Sequence, residues 1–213
     1  MSEQTLVLLG DSILDNRPYT APEPDTAAHL HRLLGRAWSV QRLAQDGAVM
    51  ADMRFQLGQL QGRPTVAVLS IGGNDAAEHV GLLGRRAATS SEVLQELLEI
   101  ADNFSRRYEA VARAVAERAA RTVLCTIYEV QLEPALYARL ARVPLAVLND
   151  RIIRTAARLG VDVLELRTVC TEETDFVLQI EPSAQGAAKI ARAIAAVLQH
   201  DTLLRSGRVF TAS

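Results

Sequence analysis

Short apolar runs alternate with longer stretches of helical spacing along the whole chain. The first run, Leu6-Val7-Leu8-Leu9, is bounded by Gly10 and reads as a strand buried on both faces. Similar runs predict strands at about residues 38–43, 65–71, 123–127 and 161–166. Between them, apolar residues every three or four positions predict helices at about 25–34, 50–60, 145–159 and 182–199, with a long one at about 91–121. Gly35, Gly62 and Gly160 follow three of these helices, and Thr89 and Glu92 have capping-box spacing ahead of the long one. Pro182 stands where a first helical turn favours proline. Residues 80–90, with Gly81 and Gly84, read as a surface loop, and those after His200 as a short, loosely held tail.

Strands alternating with helices imply a parallel sheet covered on both faces, a three-layer α/β architecture with five strands. No repeat, low-complexity block or linker interrupts it, so the 213 residues read as one domain, 1–213. Hydrophobic residues at 49% are ample for its core. A formal net charge of -2 argues against a nucleic-acid or membrane-surface protein, which would need a basic patch. Met1-Ser2-Glu3-Gln4 lacks the basic region of a signal peptide, and no run approaches a membrane span, so a cytoplasmic location is expected. Cys125 and Cys170 lie in apolar strand-like runs and read as buried free thiols.

The candidate chemistry comes from where polar turns fall. Ser12, Gly47 and Asn74 follow the first, second and third strands, and in a parallel sheet these three positions reach one edge. Acyl transfer through serine needs a nucleophile and hydrogen-bond donors aimed at the developing oxyanion. The N–H groups of Ser12 and Gly47 and the Asn74 amide could supply those donors. Each turn also has a plain reading: Ser12 as a helix cap, Gly47 as an ordinary turn, Asn74 bonding its own backbone. Three together favour a site. Asp15, Asn16, Tyr19, Asp75, His79, Tyr128, Glu129 and Asp175 fall close enough in this pattern to line a pocket, whereas His29, His31 and His200 read as surface histidines. No His/Cys cluster has metal-ligand spacing and no Gly-rich phosphate loop occurs, so no metal and no cofactor are implied. Aromatic content of 4% gives no sign of a stacking platform for polysaccharide.

These residues resemble the GDSL or SGNH hydrolase family over nearly the whole chain. Gly10-Asp11-Ser12 resembles its first block, Gly47 its second, and Gly72-Gly73-Asn74-Asp75 its third. The resemblance implies a flavodoxin-like α/β/α fold, Ser12 as nucleophile, and Ser12, Gly47 and Asn74 as oxyanion donors. The last block departs from the family. Where Asp-x-x-His is usual, this chain has Leu178-Gln179-Ile180-Glu181, so leucine stands for the aspartate and glutamate for the histidine. The two changes agree, because an aspartate that orients an imidazole has no purpose once the imidazole is gone.

Two readings follow. In the first, the chain hydrolyses a small ester or acylated substrate, with Glu181 as direct base to Ser12. An ordinary Glu pKa of about 4.3 suits that role poorly unless burial raises it. In the second, it is an impaired hydrolase that binds a carboxylate, acyl or sugar ligand, and Glu181 merely caps the last helix.

Overall fold

The computed structural model describes residues 4–199 and 207–211. Strand β1 (Gln4–Gly10) lies near the middle of a sheet with β2 (Trp38–Arg42), β3 (Val66–Ser70), β4 (Arg121–Cys125), β5 (Asp162–Leu164) and a final strand, β8 (Val209–Phe210). The order is β2-β1-β3-β4-β5-β8 and every pairing is parallel. The expected three-layer architecture is therefore present, with six strands in the central sheet among the described residues rather than five. The extra strand comes from the stretch read as a tail: Val209 and Phe210 pair with Val163 and Leu164. Two residues at an edge carry too little pattern to register as a strand. Residues 200–206 and 212–213, including His200, lie outside the described residues.

Both faces of the sheet are buried, and alternate residues of each strand serve the two faces. Val7 and Leu9, Ala67 and Leu69, and Leu124 join one core. It is closed by α3 (Met53–Gln59), α5 (Ser90–Arg118) and α6 (Ala135–Leu159). Leu6 and Leu8, Val66 and Val68, Val123 and Cys125 join the other, under α2 (Thr26–Leu34) and α7 (Ala184–Gln199). This two-sided burial explains why the strands read as unbroken apolar runs rather than alternating ones. Cys125 and Cys170 are buried free thiols, as expected.

Several boundaries moved for identifiable reasons. Helix α6 starts ten residues before the predicted position because it contains Pro144, whose missing N–H normally marks a helix end. Pro182 opens no helix: it belongs to a two-strand hairpin, β6 (Phe176–Val177) with β7 (Glu181–Pro182), and α7 begins at Ala184. The Ser183 hydroxyl accepts the Gly186 N–H at 3.2 Å, so Ser183 does the capping that was considered for Glu181. Two short helices, α1 (Arg17–Thr20) and α4 (Gly73–Ala77), were not anticipated, and within 80–90 a 3-10 turn covers Val80–Gly84. No helix among the described residues is long and apolar enough to cross a membrane.

Helices α5 and α6 have 29 and 25 residues, about 44 and 38 Å at 1.5 Å per residue. The five-residue strands beneath them span only about 17 Å. The ion pairs Arg151–Asp102 and Arg158–Glu109 share one sequence offset, 49 residues, which fixes the two helices parallel and in register. Their amino-terminal turns therefore overhang the carboxyl edge of the sheet, where the functional turns lie.

Gly10 is the tightest point of that edge. Its φ of +124° is left-handed territory, and a Cβ there would lie 1.6 Å from the Ser70 carbonyl oxygen. The buried Gln56 amide clamps the same residue, accepting the Gly10 N–H at 2.8 Å and donating to its carbonyl at 2.7 Å. Gly10→Ala should thus lower stability by at least about 2 kcal/mol, read as a drop in the urea midpoint with unchanged slope.

Candidate active site

The serine turn is built by β1 running into Gly10 and then reversing. Asp11 donates its N–H to the Ser70 carbonyl (3.0 Å), and Leu14 and Asp15 donate theirs to the Asp11 carbonyl (3.1 and 3.0 Å). The Asp11 carboxyl accepts the Ile13 N–H at 3.2 Å. Ser12 sits at the apex of this turn, almost fully buried, and the turns after β2 and β3 are stitched to it. Gln45 donates its N–H to the Gly10 carbonyl at 3.0 Å, and the Asn74 amide donates to the Ala48 carbonyl at 2.9 Å. That bond uses one Asn74 N–H and leaves the other available. Among the described residues, the backbone N–H groups of Ser12 and Gly47 have no acceptor.

Glu181 arrives from the β6–β7 hairpin, on which Leu178 and Gln179 hold left-handed φ values of 51° and 71°. Such backbone is costly for side chains other than glycine and persists only where surrounding contacts enforce it. Those contacts come from the loop after β4. The buried Tyr128 hydroxyl donates to the Ile180 carbonyl at 2.5 Å, and its ring meets Phe176 edge-on at 5.0 Å. Gln131 donates its N–H to the Gln179 carbonyl (2.8 Å), and Glu133 donates its own to the Gln179 side chain (2.9 Å). Leu178, at the position matched to the family aspartate, is 76% exposed at the turn and stands behind nothing.

The Ser12 hydroxyl lies near enough to the Glu181 carboxyl to lower its proton affinity, and both line one cavity, but no hydrogen bond of ordinary geometry joins them. Burial raises the Glu181 pKa, the Ser12 hydroxyl opposes that rise, and the charge of Asp46 adds to it. Glu181 Oε2 is buried without a hydrogen-bond partner, and among the described residues no cation pairs with Glu181. Asp11, directly before the serine, is more extreme. Burial pushes its carboxyl up to about 8, the Ile13 N–H opposes this, and the charge of Glu181 reinforces it. Two carboxyls in one apolar neighbourhood do not both ionise readily, so Asp11 keeps its proton through neutrality.

Of the other candidates, the structure brings His79 and Tyr128 to the same cavity as Ser12, Asn74 and Glu181. His79 is exposed on its rim, one residue before the 3-10 turn. Gly47 lies at the edge outside the cavity wall, with φ +75°. Asp15, Asn16 and Asp75 do not line the cavity; each is occupied in holding a turn. Asp15 pairs with Arg42 at 2.7 Å and accepts the Asp46 N–H at 3.0 Å. Asn16 is buried between Ile13 and Thr26, donating to Thr26 Oγ1 at 2.8 Å and accepting the Thr26 N–H at 3.0 Å. Asp75 accepts the Met50 N–H at 3.0 Å and pairs with Arg107 at 2.6 Å, which props the turn carrying Asn74. Tyr19 donates to Asp46 at 2.9 Å, Glu129 pairs with Arg142 at 2.8 Å, and buried Asp175 pairs with Lys189 at 2.8 Å.

Two features of the site were missed. Asp11 stands out in the sequence only as part of a motif, although a carboxylate one glycine after four core residues is an early sign of burial. The second is an apolar wall on α5 and α6, whose helical spacing is indistinguishable from ordinary core in a sequence.

A parallel sheet in this order between two helical layers, with a serine turn at its carboxyl edge, is the flavodoxin-like fold of SGNH hydrolases. The sequence pattern of the GDSL-like Lipase/Acylhydrolase family matches residues 8–189, and the chain belongs to that family. No curated protein matches the sequence. Among solved structures, the fold is similar to an extracellular lipase from Streptomyces rimosus, with TM-score 0.69 at 16% identity over 91% of this chain and 99% of that one. It is similar to phospholipase A1 from Streptomyces albidoflavus NA297, with TM-score 0.69 at 16% identity over 93% and 100%. An acetylxylan esterase from Geobacillus stearothermophilus gives TM-score 0.64 at 16% identity over 94% and 96%.

The raised Asp11 carboxyl has a stability consequence. The unfolded chain releases the Asp11 proton near the ordinary value of 3.8, whereas the folded protein keeps it until about 8. Folding is therefore penalised progressively as pH rises through that window, and the penalty levels off above it. Asp11→Asn, which preserves the acceptor for Ile13, should gain stability relative to the parent as pH goes from 4 to 8, measured by urea denaturation at several pH values.

Proposed function

We propose that the protein is a serine-dependent ester hydrolase in which Ser12 is the nucleophile and Glu181 its general base. The observation that carries this reading is that Ser12 shares a cavity with a carboxyl whose Oε2 is buried without a hydrogen-bond partner and which has no cationic partner among the described residues. A carboxylate balanced by arginine or lysine would be a weak base, whereas one raised by burial gains proton affinity. Family membership supports ester chemistry, and the unpartnered N–H groups of Ser12 and Gly47 with the free Asn74 N–H support an oxyanion site.

In this mechanism Ser12 Oγ attacks the ester carbonyl as its proton passes to Glu181, and the carbonyl oxygen becomes an oxyanion held by the three donors. The tetrahedral intermediate collapses by breaking the ester C–O bond. Protonated Glu181 gives its proton to the leaving alkoxide, which departs as the alcohol. Water then attacks the acyl-serine, its proton passes to Glu181, and collapse returns that proton to Ser12 and frees the carboxylic acid. Asp11, neutral at this pH, adds no second negative charge beneath the serine. Tyr128 is a positioning residue that holds the hairpin carrying Glu181.

Hydrolysis of short p-nitrophenyl esters from pH 5 to 9 tests the assignment. Ser12→Ala should lower kcat by at least about 10³-fold, and Glu181→Gln by about 10²- to 10⁴-fold. Below pH 7, where Asp11 keeps its proton, the parent rate should rise with pH through a single ionisation above the ordinary glutamate value, and Glu181→Gln should remove that rise. Tyr128→Phe should lower kcat roughly 10- to 100-fold while leaving the fold intact. A parent no faster than Ser12→Ala on these and on natural esters would reject serine catalysis.

A further inference from the structure

Beside the serine turn the structure encloses a cavity of about 310 Å³ whose chemistry is segregated by position. Its polar groups, Asp11, Ser12, Asn74, His79 and Glu181, belong to the candidate site or its rim. The rest of the wall is aliphatic. Leu97 and Ile100 come from α5, and Ala141, Pro144, Leu145 and Leu148 from α6. The 3-10 turn supplies a roof through Val80, Leu82 and Leu83, and Ile127 and Val130 close the side next to β4. Tyr128, the exception to that aliphatic wall and its single aromatic residue among those described, has its hydroxyl committed to the Ile180 carbonyl.

A wall of this kind discriminates between acyl substrates. A sugar carries hydroxyl groups around its whole ring, and each one buried here without a partner would carry a desolvation penalty. Nor is there a set of rings on which a sugar face could stack. An unbranched hydrocarbon chain needs no partner and gains from every methylene removed from water. The chamber is also open to the serine, so a carbonyl at Ser12 can be continuous with a chain lying between α5 and α6. The overhang of these two helices beyond the sheet makes the space.

We infer that the chamber between α5, α6 and the Val80–Gly84 turn is an acyl-chain site, selecting unbranched chains of medium length over acetyl groups and over acylated sugars. The assignment of the chain to the acyl side of the ester rests on the serine hydrolase reading; the chamber's preference for a chain does not.

The first test therefore measures binding, using Ser12→Ala and calorimetric titration with acetate, butanoate, hexanoate and octanoate. Affinity should rise about fourfold per added methylene, the fold-change equivalent to about 0.8 kcal/mol per buried CH₂, until the chamber is full. Ala141→Phe, which fills the chamber, should bring the plateau to shorter chains, and Leu148→Ala should move it to longer ones. Affinity that is flat from acetate to octanoate, or tighter binding of acetylated glucose than of hexanoate, would overturn the inference. The second test gives the parent p-nitrophenyl hexanoate and hexyl acetate, with the matching acetyl and ethyl esters as references. A gain of at least about tenfold in kcat/KM from the longer acyl group supports the acyl assignment, while a gain from the longer alcohol alone overturns it. Chain-length-dependent binding with no hydrolysis of any ester would reject the hydrolase mechanism and leave the chain site standing.

Discussion

The close approach of β1 to β3 at Gly10 and Ser70 is the constraint on which the site depends. A strand that carried a side chain at Gly10 could not bring its end against the Ser70 carbonyl. Without that approach the Asp11 N–H would lose its acceptor and the serine turn would lose its anchor. The same carbonyl edge continues into Gly72, with φ +111°, where a Cβ would press on the Phe104 ring at 2.9 Å. A glycine ending β1 and another just after the neighbouring β3 thus let the serine turn and the asparagine turn share one edge. Gln56 completes the arrangement by satisfying both backbone groups of Gly10 where the ladder leaves them.

Around that edge, carboxyl groups are sorted by what they meet. Asp15, Asp75 and Asp175 have arginine or lysine partners and backbone donors, and they hold turns. Asp11 and Glu181 pair with no cation among the described residues, and burial raises both. A carboxylate with a cation is spent on structure, even where burial raises it as at Asp75, whereas one without has no partner to lose when it takes a proton. Burial also orders the two: Asp11, fully enclosed, keeps its proton, and the partly buried Glu181 lines the cavity with Ser12 and is the one that exchanges a proton in the proposed mechanism.

How much of this was legible follows the range of the interactions. The alternation of strands and helices, and the convergence of Ser12, Gly47 and Asn74 on one edge, depend on local patterning and parallel topology, and both could be read in the sequence. The resemblance that sets Glu181 against the family histidine rests on the same kind of signal, since Pro182 and the apolar helix after it keep their order. Whether Asp15 and Asn16 would line a pocket was not, because their partners Arg42 and Thr26 lie 10 or more residues away on other elements. Pro144 and Pro182 misled in opposite directions. Tertiary packing carries α6 straight through the first, and the hairpin that presents Glu181 absorbs the second. The left-handed residues Leu178 and Gln179 had no local signal, since neither is a residue that favours such backbone.

The overhanging helices link the chain site to the base. If Glu181 takes the Ser12 proton, its strength comes from the apolar wall that also forms the chamber, so chemistry and selectivity draw on the same atoms. A histidine orients its proton through a second carboxylate and tolerates water nearby; a lone glutamate depends on water being kept away. A chain that fills the space between α5 and α6 removes water from that wall at the moment the carbonyl reaches Ser12. On that reading the Leu178–Glu181 stretch and the aliphatic chamber are two sides of one arrangement, in which exclusion of solvent stands in for an imidazole.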